Sequence, residues 1–325
     1  MRSLLKDNGG FALILTILIV SLIVALTLQF NVSMHSDLNA AANLRDAIRL
    51  GAIAKSGVNL ACAVLFKDDL ETDFDSLIET WANSKTLSSQ SASMFEGGSF
   101  EVEILDHSGK IQINQLVDQG GSYNPKQQDL LARFLSSAEF GLDAEQVGNL
   151  VDAIKDWIDP DNEVTGFGEE SSYYKELEKP YSCRNGPLEY LEELLLIKGV
   201  TKELFYGTRE KPGISNYLSS YGDGRININT ADPLVLRSFS EQMDGGMVEE
   251  MVSYRMDEKN DLRAPTWYQK VPGMSPVTLD LDLLTTSSTY FEIRSVGIKE
   301  AMSKRVKAVV ERKEGTIKIL SWQLE

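Results

Sequence analysis

The sequence is poor in the side chains from which most active sites are assembled. Only two histidines, His35 and His107, and two cysteines, Cys62 and Cys183, occur in 325 residues. Two cysteines exclude a disulfide-built scaffold, and two histidines leave no histidine-rich metal or nucleophile site. Positive charge is also scarce, with 32 basic residues against 48 acidic ones and a net charge of −16. A nucleic-acid binder needs a basic patch that releases counterions from phosphates, so nucleic acid is not an expected partner. One stretch lacks charge altogether: from Asn8 to Met34 there is no Asp, Glu, Lys or Arg. It is the only long apolar run. Twenty helical residues span ~30 Å, one bilayer core, and residues 11–30 fit that length. Arg2 and Lys6 precede it, which keeps that end cytoplasmic and sends the rest of the chain across the membrane.

The run is too long for the apolar core of a secretory signal peptide, and LQFNVSMHSDL after it offers no small-residue cleavage site. Two readings stay open on these residues. One is a plain anchor. The other is a leader cut on the cytoplasmic side between Gly10 and Phe11, a small residue before the cut and a bulky apolar one after it.

Beyond the membrane the helix continues. Leu44, Ile48, Gly51, Val58, Cys62 and Leu65 recur at three, four or seven residues, with Lys55 interrupting the stripe, and Ala40 to Ala42, Ala52, Ala54 and Ala61 favour helix. One helix of more than fifty residues is expected, its first half in lipid and its second half amphipathic. KTLSSQSASMFEGG reads as a loop. FEVEILD alternates apolar and acidic residues as a half-buried strand does, His107, Ser108 and Gly109 form a turn with His107 solvated, and IQIN is a second strand. From Gln115 to about Thr286 the periodicity is helical in DLLARFLSSAEF, AEQVGNLVDAIKDWI, PLEYLEELLLI, DPLVLRSFSEQM and MVEEMVSYRM. YFEIRSVGI, KRVKAVVER and TIKILSWQL then return to strand spacing. Strands on both sides of a helical block suggest one sheet with a large insertion.

Four motifs in a fixed order carry a resemblance: an anchor opening GFALIL, DWIDPDNE, YYKELEKPYSCRNGPLEYLEELLLIKGV and RININTADPLVL. Together they make the whole chain similar to the protein K family of general secretion pathways, the large minor pseudopilins of type II secretion. The resemblance implies an α+β pseudopilin fold, a long N-terminal helix packed on an antiparallel sheet with a mainly α-helical domain inserted between strands. It divides the chain into a cleaved leader at 1–10, an N-terminal helix at 11–66, sheet strands within 98–114 and 287–325, and the insert at 115–286. It implies cleavage after Gly10 by prepilin peptidase, methylation of Phe11, and a filament that pushes folded proteins through an outer-membrane secretin. Implied partners are the minor pseudopilins I and J, the major pseudopilin, the inner-membrane assembly platform, and secretin or cargo; the implied location is the inner membrane, single-pass, with the C-terminal domain in the periplasm. Leu15 is the fifth mature residue on this numbering, where most relatives of the wider pilin class carry Glu. A charge in lipid needs a partner, so Leu15 fits a first subunit with none ahead of it. An insertion of roughly 170 residues fits the tip and would crowd the flank of a filament.

The loop DWIDPDNEVTGFGEE holds the candidate metal ligands. Asp159, Asp161, Glu163, Glu169 and Glu170 supply oxygens of the kind that calcium takes six to eight at a time. The spacing from Asp159 echoes the helix–loop–helix calcium site, but Val164 stands at the place that needs Gly. Composition alone equally describes a solvated acidic loop; calcium comes from the resemblance. Relatives tend to carry a carboxylate where this chain has Ser171, a loss that Glu169 could make good.

Other readings carry less. RININTADPLVL also resembles a DNA-gripping helical hairpin, yet Thr230 as N-cap with Asp232 and Pro233 in the first turn is simply a good helix start. A minor pilin of a type IV pilus would share the leader but not the insertion. A membrane-anchored periplasmic hydrolase could use paired carboxylates such as Asp152 and Asp156, which chance places on wet helix faces in so acidic a chain. No enzyme is expected. Nothing in the sequence brings Cys62 and Cys183 together.

Overall fold

The computed structural model describes residues 9–89 and 91–325. Of the leader expected at 1–10, residues 1–8 lie outside the described residues. Helix α1 (Gly9–Glu71) runs for 63 residues, about 95 Å at 1.5 Å per residue. Its first half is fully exposed and apolar enough to cross a membrane. The hydroxyls of Ser21 and Thr27 in that half donate to carbonyls four residues back, so its few polar groups are satisfied inside the segment, as lipid demands.

The second half packs on a sheet, but not with the stripe read from the sequence. Leu50, Ile53, Ala54, Val58, Ala61 and Leu65 are buried, whereas Leu44 and Ile48 are exposed and Cys62 is half-buried. The buried face is thus rotated from the expected one; both share Val58 and Leu65, and only the sheet decides between them. Two close approaches fix the helix there. A Cβ on Gly297 would lie 2.3 Å from the Leu50 carbonyl, and one on Gly57 would lie 2.2 Å from the Ser295 hydroxyl.

KTLSSQSASMFEGG is not a plain loop. It holds short helices α2 (Ser84–Ser89) and α3 (Ser91–Met94), which lie on strand β1 (Ser99–Asp106). The Ser91 hydroxyl bonds both backbone groups of Phe100, and the Ser88 hydroxyl accepts from the Val102 amide. Serines that read as loop composition here cap a sheet edge.

The inserted block is less helical than its periodicity suggests. Strand β2 (Ile111–Gln112) does not extend β1; it pairs with β3 (Leu218–Ser219) inside the insert, in parallel. Helices α4 (Pro125–Leu135), α5 (Ala144–Ile158), α6 (Ser171–Lys175) and α7 (Lys202–Tyr206) precede β3, with PLEYLEELLLI forming a 3-10 turn at Leu191–Leu196. Strand β4 (Ile226–Asn227) pairs with β5 (Leu284–Thr285), and α8 (Pro233–Arg237) and α9 (Gly245–Arg255) lie between them. Asp232, not Thr230, caps α8. Strands β6 (Tyr290–Lys299), β7 (Met302–Lys313) and β8 (Thr316–Leu324) complete the four-stranded antiparallel sheet, ordered β1-β6-β7-β8.

Two apolar clusters result. One joins α1 to β1, β6 and β7; the buried residues of the other all fall within 111–284, with half-buried Phe74 packed against them. Each is a core of its own, the mark of two domains.

The two meet over buried polar groups. Asp106 accepts the hydroxyls of Thr230 at 2.5 Å and Ser288 at 2.6 Å. Asn227 donates to Ser288 and to the Asp75 carbonyl. Arg312 of β7 binds both oxygens of Asp75 and reaches Asp68 at 2.9 Å. RININT is therefore the strap that fastens the insert to the sheet.

Candidate metal centre

Helix α5 begins with a capping box, Asp143 accepting from the Gln146 amide and Gln146 accepting from the Asp143 amide. Its apolar stripe, including Leu150, Ile154 and Trp157, enters the core of the insert. Asp152, Asp156 and Asp159 follow at steps of four and three, which puts them on one side of the helix. The chain then turns back over that side. The Phe167 amide donates to Asp152, and the Thr165 amide donates to Asp156, both at 3.1 Å. Gly166 and Gly168 permit this approach, since a Cβ on either would sit 2.2 Å from an Asp152 or Asp156 oxygen. Gly166 also takes φ +53°, where side chains are strained.

The loop ends at Glu170, which caps α6. Tyr174 of α6 is buried edge-on against Trp157, holding the two helices together. Asp156, Asp159 and Glu170 thereby converge, with one oxygen of each within 4.8 Å of the others. All three are buried, at 0%, 0% and 1% exposure. Burial raises the carboxyls of Asp156 and Asp159 above their ordinary values and pushes Glu170 up to about 7. Lys155 pairs with Asp159 and donates to the Thr165 hydroxyl at 2.8 Å. When all three carboxyls are ionised, that one ammonium leaves two negative charges uncompensated. One oxygen each of Asp159 and Glu170 is buried with no hydrogen-bond partner.

Of the five ligands expected from sequence, the fold brings together Asp159 and Glu170. Asp161 is exposed and accepts from the Glu163 amide, and Glu163 is exposed too. Glu169 pairs with Lys198 and is not among the three carboxylates that converge. Ser171 instead accepts from the Cys183 amide at 3.0 Å. Asp156, which sequence reading assigned to a wet face, joins them instead; its signal was the spacing to Asp159 and the glycines opposite. A cavity of about 720 Å³ adjoins the loop, with Val164, Phe167 and Leu204 in its lining.

The remaining marked residues lie apart from this centre. Gly10, Phe11 and Leu15 lie in the exposed first half of α1. His107 is not solvated. It is buried, with Nδ1 3.0 Å from the Ser219 hydroxyl and Nε2 3.3 Å from Glu292. The trio has the composition of a nucleophile, base and orienter; the Ser219 hydroxyl also accepts from the Tyr221 amide at 3.0 Å and has the Tyr221 carbonyl as a second acceptor at 3.1 Å. Burial alone would raise Glu292, yet His107, Arg294 and Lys307 hold it below the usual carboxylate range. Both cysteines are free thiols.

A family model described as type II secretion system (T2SS), protein K matches residues 109–209. The chain is 30% identical over 258 residues to the type II secretion system protein K of Pseudomonas aeruginosa, a match covering 77% of this chain and 73% of that protein. With protein K of Aeromonas hydrophila it shares 23% identity over 324 residues, 94% of each. Among solved structures, a chain in the crystal structure of the GspK-GspI-GspJ complex from the type 2 secretion system of enterotoxigenic Escherichia coli superposes with a TM-score of 0.68. That match has 17% identity and covers 88% of this chain and 98% of the other.

Proposed function

The chain belongs to the type II secretion system protein K family, and from that membership we propose that it is the tip subunit of a pseudopilus, starting its assembly and helping push folded proteins through a secretin. The observation that carries the reading is the pairing of an exposed, membrane-length half of α1 with a sheet interrupted by a domain that has its own core. A domain of that size is tolerated at a filament end. Leu15 supports the same place, since it offers no carboxylate for a neighbour's terminal amine.

On this reading prepilin peptidase cuts after Gly10, Phe11 becomes the methylated first residue, and the minor pseudopilins I and J sit directly below. The major pseudopilin and the inner-membrane platform extend the filament, and the insert, in the periplasm, faces cargo or secretin. The test is intact mass and N-terminal sequencing of protein purified from membranes. A chain starting at methylated Phe11 is expected; an uncut Met1 in cells with active prepilin peptidase would overturn the reading.

The centre in the insert fits calcium. Asp156, Asp159 and Glu170 would hold the ion, hard oxygens for a hard cation, and the orphaned oxygens of Asp159 and Glu170 support the fit. Bound there, calcium would favour the ionised form of all three carboxyls and balance the two charges that Lys155 leaves over. The residues themselves clamp the loop, since Asp156 already holds the Thr165 amide.

A further inference from the structure

One face of the sheet packs on α1; the other meets the insert in a cleft. Phe291, Ile293, Val306 and Ala308 point toward α1, so Glu292, Arg294 and Lys307, which alternate with them, stand on the opposite face. Between that face and the insert lies a cavity of about 160 Å³. Strands β6, β7 and β8 give one wall. Tyr190 before the 3-10 turn and Tyr206 at the end of α7 stand on the other. Arg294 and Lys307 also line a wider cavity of about 670 Å³, which runs along the same face to Lys85 and Arg305. The two form one continuous cleft.

Its charge runs against that of the chain. Lys110, Arg294 and Lys307 gather round a single buried carboxylate, Glu292. Arg294 reaches it at 2.5 Å and Lys307 at 3.2 Å. The Lys110 ammonium makes no hydrogen bond or ion pair among the described residues. Burial, with Arg294 and Lys307 nearby, holds it below the ordinary lysine range. In a protein of net charge −16, such a cluster inside a cleft draws an anion to one place.

The other lining groups suit sugar rings. Tyr190 is 52% exposed and Tyr206 59%, and tyrosine offers a rigid amphipathic face at low entropic cost. Glu192, Asn216 and Gln323 are exposed, and their side chains have no hydrogen-bond partner among the described residues. They supply the acceptors and donors that hydroxyl and acetamido groups need. The inner cavity is smaller than the ~300–1,000 Å³ of a drug-sized site, so it takes one ring, and the wider part takes the chain that follows. Strands β6 and β7, which carry the charges, are each paired on both sides. No free strand edge lies among those charges for a peptide backbone to join.

We propose that this cleft binds an anionic saccharide chain, one ring against the tyrosines and its carboxylate or phosphate on Lys110. Which saccharide reaches it depends on the proposed periplasmic location, where cell-wall glycan carries carboxylates and lipopolysaccharide core carries phosphates. The chemistry of the cleft does not depend on that location.

The test is calorimetric titration of the full-length chain in a neutral detergent. The probes are a tetrasaccharide containing muramic acid, a phosphorylated core oligosaccharide freed of lipid, an uncharged N-acetylglucosamine tetramer and a glutamate-rich peptide. At least one anionic saccharide is expected to bind about tenfold tighter than the uncharged tetramer, and the tighter of the two names the source. Lys110→Gln is expected to abolish that preference, and Tyr190→Ala to weaken every saccharide about tenfold, both at an unchanged melting temperature. Should Lys110→Gln lower the melting temperature, the preference of the wild-type chain is measured at low and high salt, where a charge contact must weaken with salt. Equal binding of charged and uncharged saccharides overturns the role of Lys110. Peptide binding as tight as that of the saccharides overturns the saccharide assignment, and no saccharide binding overturns the proposal. Each of these outcomes leaves the pseudopilus reading standing, because that reading is decided by the N-terminus.

Discussion

Asp159 shows how much one side chain in the insert has to reconcile. It is fully buried, pairs with Lys155 through one oxygen, and leaves the other without a partner. Asp159→Ala strands the buried Lys155 ammonium, and a loss of about 3–5 kcal/mol is expected in urea unfolding. Asp156→Asn should act in the opposite sense without calcium, because it removes one of three mutually repelling carboxylates. Its melting temperature in chelator is expected to rise. Calcium at a hundred times its dissociation constant would add about 2.7 kcal/mol to the wild-type chain; Asp156→Asn should lose most of that gain in calorimetry. An equal calcium response in both proteins would remove Asp156 from the centre. None of this was readable residue by residue. The acidic loop was visible as composition, but Asp161 and Glu163 look as suitable as Asp159 until the chain turns back over α5.

At the scale of elements, α1 and the sheet are held by backbone contact as much as by apolar side chains. Gly297→Ala sets a Cβ against the Leu50 carbonyl and the Ala54 amide, atoms that cannot move without the helix. Gly57→Ala meets the Ser295 hydroxyl and the Phe100 ring, side chains that can turn aside. Overpacking costs about 1–3 kcal/mol, and Gly297→Ala is expected at or above the upper end, with Gly57→Ala below it. Chemical denaturation of the two variants gives the order; the reverse would mean that the sheet yields more easily than the side chains. Helix existence and the alternation in β1, β6, β7 and β8 were legible, since each pattern is local. Which stripe of α1 faces the sheet was not, because the helix carries two apolar stripes and the sequence does not say what lies opposite either.

For the whole molecule, the junction between the domains shares the response to pH with the buried carboxyls of the insert's centre. Burial pushes Asp106 up to about 6 and, with repulsion from Glu79 and Asp75, Asp68 up to about 7. Both hold their protons more tightly folded than unfolded. Their contribution to stability is therefore full below the ordinary carboxylate value near 4 and is lost as pH rises through about 6 to 7, by at most about 1.4 kcal/mol per pH unit for each group. In detergent with chelator, the full chain is expected to be more stable at roughly pH 5 than at roughly pH 8. Asp106→Asn should flatten that slope, and an unchanged slope would place the pH dependence elsewhere.

The sequence by itself determined the membrane-length run, the long helix, the strand alternation, and a helix-containing block set between strands; each depends on neighbours a few residues apart. Its motifs also pointed to the family in which the chain belongs. Tertiary structure alone decided that β2 pairs within the insert, that RININT fastens the two domains, that His107 is buried against Glu292, and that Asp156 joins Asp159 and Glu170. Those arrangements join residues up to 185 positions apart, as with His107 and Glu292. No local pattern encodes such a meeting. It follows from how the two cores close, which buries some polar groups against partners and leaves others waiting for one.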